Sequence, residues 1–367
     1  MDRLMSVMRV SWGPQHPASG QFRLVLDIDG DTIVRGHPDI GYTHRGIEKL
    51  AEIKNYWQIV PLVERVADID SFNMALGHCH AVEELMGVEV PERAKFIRVV
   101  MGEISRIMCH LYWIALFHAG AGLFTAFMWP IADRELFCDL AELATGSRVT
   151  FYYIIPGGVR RDVPTEFYKR AIKSVDYFER RLHDYEDMFY RSGVYGVRSK
   201  GVAVLRRRDA IRLGAAGNVL RGSGVRADVR KDEPYDAYDQ MDFEVITRKE
   251  GDCHARARIW LHEMWESCSI IKQAVKALQK LPRGPIRVRV PLKVPEPGET
   301  YSRIESARGE LGYYIKSTGG PRPYRFKMST PSFRNAIVLE HLLKGAKVAD
   351  VPVITFSTYL FPLDADR

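Results

Sequence analysis

The stretch that begins at Pro91 constrains this chain more than any other. Apolar residues recur at Ala94, Ile97, Met101, Ile104, Met108 and Leu111, a spacing of three and four that places them on one face of a helix, with Arg93, Glu103 and Arg106 off it. The pattern runs directly into LYWIALFHAGAGLFTAFMWPI, residues 111–131, which carries no charged side chain apart from His118. A segment of that length can span a bilayer. It can equally be the central helix of a globular core. The charged face ahead of it and the breakers Gly120, Gly122 and Pro130 favour the core, and the chain offers no second candidate span.

Other elements are expected around that helix. Residues 7–35 alternate like short strands and turn at Asp29-Gly30. Residues 44–59 and 64–86 read as helices, the second ended by Gly87, and another helix at 132–145 ends at Gly146. Residues 164–190 put Tyr168, Ile172, Val175, Phe178, Leu182, Tyr185 and Phe189 on one helical stripe, with Pro164 in the first turn. Residues 252–280 form a further helix. After LPRGP, PIRVRVPLKV alternates as a strand, and LGYYIKSTGGPRPYRFKM reads as a hairpin around Gly319-Gly320. The expected organisation is an N-terminal β segment (1–40), a helical core (41–282) and a C-terminal β and loop region (283–367) that packs back on it.

Composition narrows the function classes. With 46% hydrophobic and 27% charged residues the chain is globular. Its net charge of +7 is scattered, and the single tight run, Arg206 to Arg208, reads as a solvated loop or partner face rather than a nucleic-acid site. The five cysteines form no C-x-x-C pair, so no disulfide framework is expected and a reducing, cytoplasmic setting fits. No signal-peptide core, P-loop, G-x-S-x-G or strand-linked G-x-G-x-x-G is present. His78, Cys79 and His80 are adjacent, so they point to different helix faces, and His254 and His262 stand too far apart for the common i, i+4 metal pair.

What remains is a set of ordered strings: GPQHP (13–17), GYTHRGIEK (41–49), PERAKFIRVVMGEISR (91–106), GGVRRDVP (157–164), RGSGVRADVRKDEPY (221–235) and SARGELGYYIKSTGGPRPYRFK (306–327). Together they resemble the 49-kilodalton subunit family of complex I, which shares its fold with the large subunit of [NiFe] hydrogenases. The resemblance runs from about residue 9 to Arg367. It implies a mainly α fold with small β elements, built around a central helical bundle. It also implies that 111–131 is core. The expected partners are a small subunit carrying the terminal [4Fe-4S] cluster, other hydrophilic-arm subunits, and membrane-arm subunits including antiporter-like ones. The chain itself is expected to bind no cofactor and no nucleic acid. It would sit peripherally on the cytoplasmic face of the membrane.

The same strings supply candidate site residues. Rigid turn residues around His16 either aim it at a site or leave it capping a turn. Arg45 and Glu48 stand three apart on a helix, where an ion pair is the plain expectation. By the resemblance, Arg65 lies beside the partner's cluster, and Arg308 and Glu310 either order the site or form a surface pair.

Departures from the family pattern carry more information. The cysteine pairs that hold nickel and iron in hydrogenases align with Ala67 and Asp70 and with the tail FPLDADR, where Asp364 takes the last position. Carboxylates do not replace the soft thiolates of that centre, so no NiFe centre is expected. In quinone-reducing relatives a histidine follows GPQHP, a tyrosine donates to the quinone, an aspartate partners the histidine, and a second histidine sits beside the cluster. Here PASGQF holds no histidine, and Asp68, Gly120 and Thr150 take the other places. A membrane-bound sulfane reductase of the archaeal type fits this pattern, with His16, Arg65, Asp68 and Arg367 around a cavity that reduces polysulfide. The alternatives are a quinone or methanophenazine reductase subunit and a non-catalytic subunit.

Overall fold

The computed structural model describes residues 7–16, 21–191, 193–294 and 296–367, without the side chains of Phe189 and Tyr190. The expected position of Phe189 on the stripe and most of PASGQF therefore lie outside the described residues.

The N-terminal segment folds as expected. Strands β1 (Met8–Trp12), β2 (Arg23–Asp29) and β3 (Thr32–Asp39) form an antiparallel sheet in that order. Leu24, Leu26 and Ile28 face inward, as period-2 alternation requires. Gly30 turns the hairpin with φ +61°, a conformation that glycine adopts freely.

The next expected helix is two. Helix α1 (Ile47–Ile53) stops because Asn55 caps α2 (Tyr56–Glu64): its side chain accepts from Trp57 and Gln58 N–H, while the Gln58 side chain accepts the Asn55 N–H. The helix expected from residue 64 begins only at Ser71, as α3 (Ser71–Met86), after a tight 3-10 turn at Asp68–Asp70. Gly87 ends it in the left-handed conformation.

Helix α4 (Glu92–Gly120) is the axis of the molecule. It is long and apolar enough to cross a membrane by length and composition, yet 89% of its apolar window is buried inside the molecule. Its polar face is not solvated, as amphipathicity predicts, but buried too. Arg98 donates to Glu83 at 2.9 Å and to the carbonyls of Ile155 and Gly158 at 3.0 Å. Charges removed from water in this way stay only when fully paired and hydrogen-bonded.

Helix α5 (Phe124–Thr145) starts earlier than expected and runs through Pro130. Proline cannot bond the carbonyl four residues back, and here His118 Nδ1 takes that carbonyl, Ala126 O, at 2.6 Å. Burial pushes the His118 pKa down to about 4, so the neutral ring donates from Nδ1. The first turns of α5 expose Phe124, Met128 and Trp129. The expectation that 111–131 is wholly core therefore fails for its last third: Gly122, not Pro130, breaks the helix and sends the chain to the surface.

Helices α6 (Thr165–Arg191) and α7 (Cys253–Lys280) lie near their expected bounds and pack on one another, and α7 packs along α4. The segment PIRVRVPLKV makes no strand. Its only sheet contact among the described residues is the bridge of Arg287 to Gly158. Prolines 285 and 291 limit pairing, and Val288 and Val290 instead cover Gly157, where a Cβ would meet them within 2.5–3.2 Å. The hairpin is present: β4 (Pro297–Ser306), β5 (Gly309–Thr318) and β6 (Arg325–Ser329) form a second antiparallel sheet. The C-terminal region is then helical, with α8 (Pro331–Leu343) and α9 (Val351–Ser357). Leu343 of α8 touches Gly36 of β3, so the two ends of the chain pack together.

Candidate functional site

A cleft of about 770 Å³ opens where three distant segments meet: the turn Pro14–His16, the 3-10 turn at Asp68 and Ile69, and the tail Leu360–Leu363. The wall between them comes from α4, which presents Tyr112, Trp113 and Leu116 on one face, and from Phe356 of α9. Trp113 Nε1 donates to Phe356 O at 2.6 Å and pins α4 to α9. The lining is mainly apolar. Its titratable side chains are His16, Asp68, Tyr112 and Arg134. His16 packs on Trp12 with ring centroids 4.4 Å apart.

Behind this wall lie Asp70 and Asp364, the positions matched above to the metal-holding cysteines of hydrogenases, and the residues there do not fit a nickel–iron group. Asp70 is fully buried, and its oxygens accept from Asn73 Nδ2 (2.7 Å), Ser105 Oγ (2.8 Å) and Ala307 N–H (2.9 Å). Asp364 is paired with Arg308 at 2.8 Å, both fully buried. Cys109 Sγ lies 3.6 Å from Arg308, and burial pushes its thiol up to about 12, so it keeps its proton. Carboxylates engaged by hydrogen bonds and a guanidinium leave no soft ligand set.

The structure disperses several of the expected site residues. Arg65 is not in the cleft. It is exposed, and its Nη1 donates to Pro61 O at 2.6 Å while its own carbonyl accepts from Arg45. Thr150 also lies outside the cleft lining, its carbonyl accepting from Ser147 Oγ, although its neighbour Val149 lines the cleft. Arg65 and Thr150 nonetheless share one edge, because Glu64 accepts the Tyr152 N–H at 2.8 Å. Burial raises Glu64 to about 7.

Arg45 and Glu48 form no ion pair. Glu48 instead accepts from Lys327 Nζ (2.5 Å) and Met328 N–H (2.9 Å) and pairs with Arg367 at 3.3 Å. Arg367 therefore belongs to a clasp at the tail and not to the cleft, and its guanidinium stacks on Phe333. Asp366 completes that clasp, accepting from Gly41 N–H (2.7 Å), Thr43 N–H (2.8 Å) and Thr43 Oγ1 (2.7 Å). Arg308 and Glu310 also part company: Glu310 faces outward and pairs with Arg334 at 2.6 Å.

Sequence reasoning missed Arg134, Tyr112 and Glu64. A single signal was available for the first two: Tyr112 stands near the start of the apolar run and Arg134 just beyond its end, and a polar group on a largely buried pair of helices must face solvent, a partner or a cavity. Gly120 was matched to the aspartate of quinone-reducing relatives. A Cβ there would lie 2.8 Å from Phe356 Cδ2, so no larger side chain fits without moving the cleft wall.

Comparison with known proteins gives a consistent picture. The family model described as the respiratory-chain NADH dehydrogenase 49 Kd subunit matches residues 120–296 and 288–367. The chain is 42% identical to an NADH-quinone oxidoreductase subunit from Desulforamulus reducens over 93% of each chain. It is 40% identical to the same subunit from Carboxydothermus hydrogenoformans over 97% of this chain and 98% of that one. Among solved structures, it superposes on a chain of the membrane-bound sulfane sulfur reductase, an archaeal respiratory membrane complex. That match covers all of both chains, with a TM-score of 0.94 and 36% identity.

Proposed function

This chain belongs to the family of the 49-kilodalton subunit of respiratory-chain NADH dehydrogenase, and we propose that its cleft reduces the sulfane sulfur of a polysulfide. It is an oxidoreductase complex subunit of the complex I type. In this reading a small partner subunit presents a [4Fe-4S] cluster at the edge that carries Arg65 and Thr150. The cluster supplies single electrons. Two of them break one S–S bond of the polysulfide and leave two sulfur anions, one of which takes up a proton. The exposed Phe124, Met128 and Trp129 suit a partner surface, and membrane-arm subunits couple the reaction to ion movement.

The observation that carries the reading is the carboxylate of Asp68 in the cleft. A quinone carbonyl needs a hydrogen-bond donor, and at the position where the family's tyrosine supplies one a carboxylate stands instead. The mainly apolar lining favours one second reading, a lipophilic carrier such as a quinone or methanophenazine. The test uses the intact complex supplied with its reduced donor. The expected result is donor oxidation that depends on polysulfide and ignores quinone-site inhibitors. Inhibitor-sensitive reduction of a soluble quinone analogue, without polysulfide turnover, would establish the second reading instead.

A further inference from the structure

Arg134 is the one permanent cation among the described residues that line the cleft. Unlike the other arginines turned inward, it makes no hydrogen bond or ion pair among the described residues. Its Nε is buried without a partner. By contrast, Arg98, Arg106, Arg230 and Arg308 each have a carboxylate at 2.5–3.2 Å. Asp68 lines the same cleft, yet no ion pair joins it to Arg134. The phenol of Tyr112 is likewise uncommitted among the described residues. Burial and the nearby Asp68 raise its pKa while Arg134 pulls the other way, so the hydroxyl keeps its proton and can donate.

We infer that Arg134 holds the anionic end of the electron acceptor in this cleft, with the Tyr112 hydroxyl donating a second hydrogen bond to it. The inference rests on the polysulfide reading above and deepens it by naming the group that recognises the substrate. A guanidinium left bare in an apolar wall is poised for a soft anion, because its charge is fixed and only weakly hydrated. The terminal sulfur of a polysulfide carries such a charge. A neutral dialkyl polysulfide, with no charge and no strong acceptor atom, would gain nothing specific from it. Arg134 thus takes the role that the sequence suggested for Arg65.

The test compares two acceptors on the intact complex: inorganic polysulfide, which is anionic, and a neutral dialkyl trisulfide with the same S–S bond. Losing a charge-assisted hydrogen bond corresponds to a change of roughly tenfold or more. Arg134→Gln is expected to raise the KM for polysulfide by about that factor and to leave the KM for the trisulfide within about twofold. Arg134→Lys should recover part of the loss, and Tyr112→Phe should raise the polysulfide KM by a smaller factor. The wild-type complex supplies a measurement that needs no variant: raising ionic strength should raise the KM for polysulfide and not for trisulfide. Equal shifts for both acceptors, or none, in a wild-type complex that turns over polysulfide would overturn the role of Arg134 and leave the proposed function standing. A wild-type complex that turns over neither sulfur compound would overturn both.

Discussion

Two sets of charged groups flank helix α4, and they are treated in opposite ways. On one side Glu103, Arg106, Arg230, Asp228, Arg221, Glu263 and Glu305 are buried together and joined by ion pairs of 2.7–3.2 Å. His110 bridges this cluster to the tail, with one ring nitrogen on Glu263 and the other on Tyr359. The arginines hold Glu103 down to about 2, whereas burial and the neighbouring Asp228 push Glu305 up to about 7. On the other side, Arg134, Asp68 and Tyr112 face a cleft, and their charged and phenolic groups make no ion pair among the described residues. A fold able to satisfy so many buried charges a helix width away leaves these few bare. Of the two sets, bare charge belongs to the cleft alone, which is what the proposed role of Arg134 requires.

The largest effect should come from the paired side. Glu103→Gln keeps the shape but leaves Arg106 without its carboxylate and Arg230 with Asp228 alone. It should cost about 3–5 kcal/mol in a denaturant titration, against less than about 1 kcal/mol for Arg134→Gln. Equal losses would erase the distinction between the two sides.

Glu64 tests the edge between them through pH. Its folded-state pKa lies near 7, above the ordinary carboxylate value, so the folded chain keeps a proton that the unfolded chain has released. That contribution is fully present below the ordinary value and is lost as pH rises through 7. Glu64→Gln should therefore match the parent near pH 4 and exceed it progressively up to pH 8, by on the order of 3 kcal/mol at most. A constant difference across that range would show that Glu64 titrates normally.

Gly120→Asp sharpens the account of the cleft wall. The new side chain collides with Phe356 and the backbone of Pro352, and overpacking of this kind costs about 1–3 kcal/mol. A thermal melt reads the cost, and an unchanged midpoint would mean that Phe356 moves freely. The smallest effect is expected at Arg148, which is solvent-facing although it contacts Glu135, Asp139 and Glu142. Arg148→Ala should leave the midpoint unchanged at physiological salt, and a clear loss would show that surface charge is also used for stability.

The long elements were legible because their signals are redundant. Helix α4 announces itself through a sustained apolar repeat, and the β5–β6 hairpin through its glycines. The errors occur where one residue overrides a local pattern. Asn55 caps a new helix inside an apparently continuous one. His118 supplies the bond that lets α5 pass Pro130, a contact that no local pattern encodes. PIRVRVPLKV alternates correctly, but its valines are used to cover Gly157. The candidate site was legible as three convergent segments, since the motifs name them. Its cation was not, because Arg65 and Arg134 look alike in sequence and only packing decides which one faces the cleft.

The clasp at the tail sets a timetable for the molecule as it is made. Asp366 binds backbone and side-chain groups 323–325 residues earlier, and Leu360–Leu363 just before it form one wall of the cleft. Closing so long a loop has to wait until the tail has left the ribosome, while the N-terminal sheet and α4 are already outside. The cleft is thus completed only after most of the fold has been made. Until then the cleft lacks one of its walls.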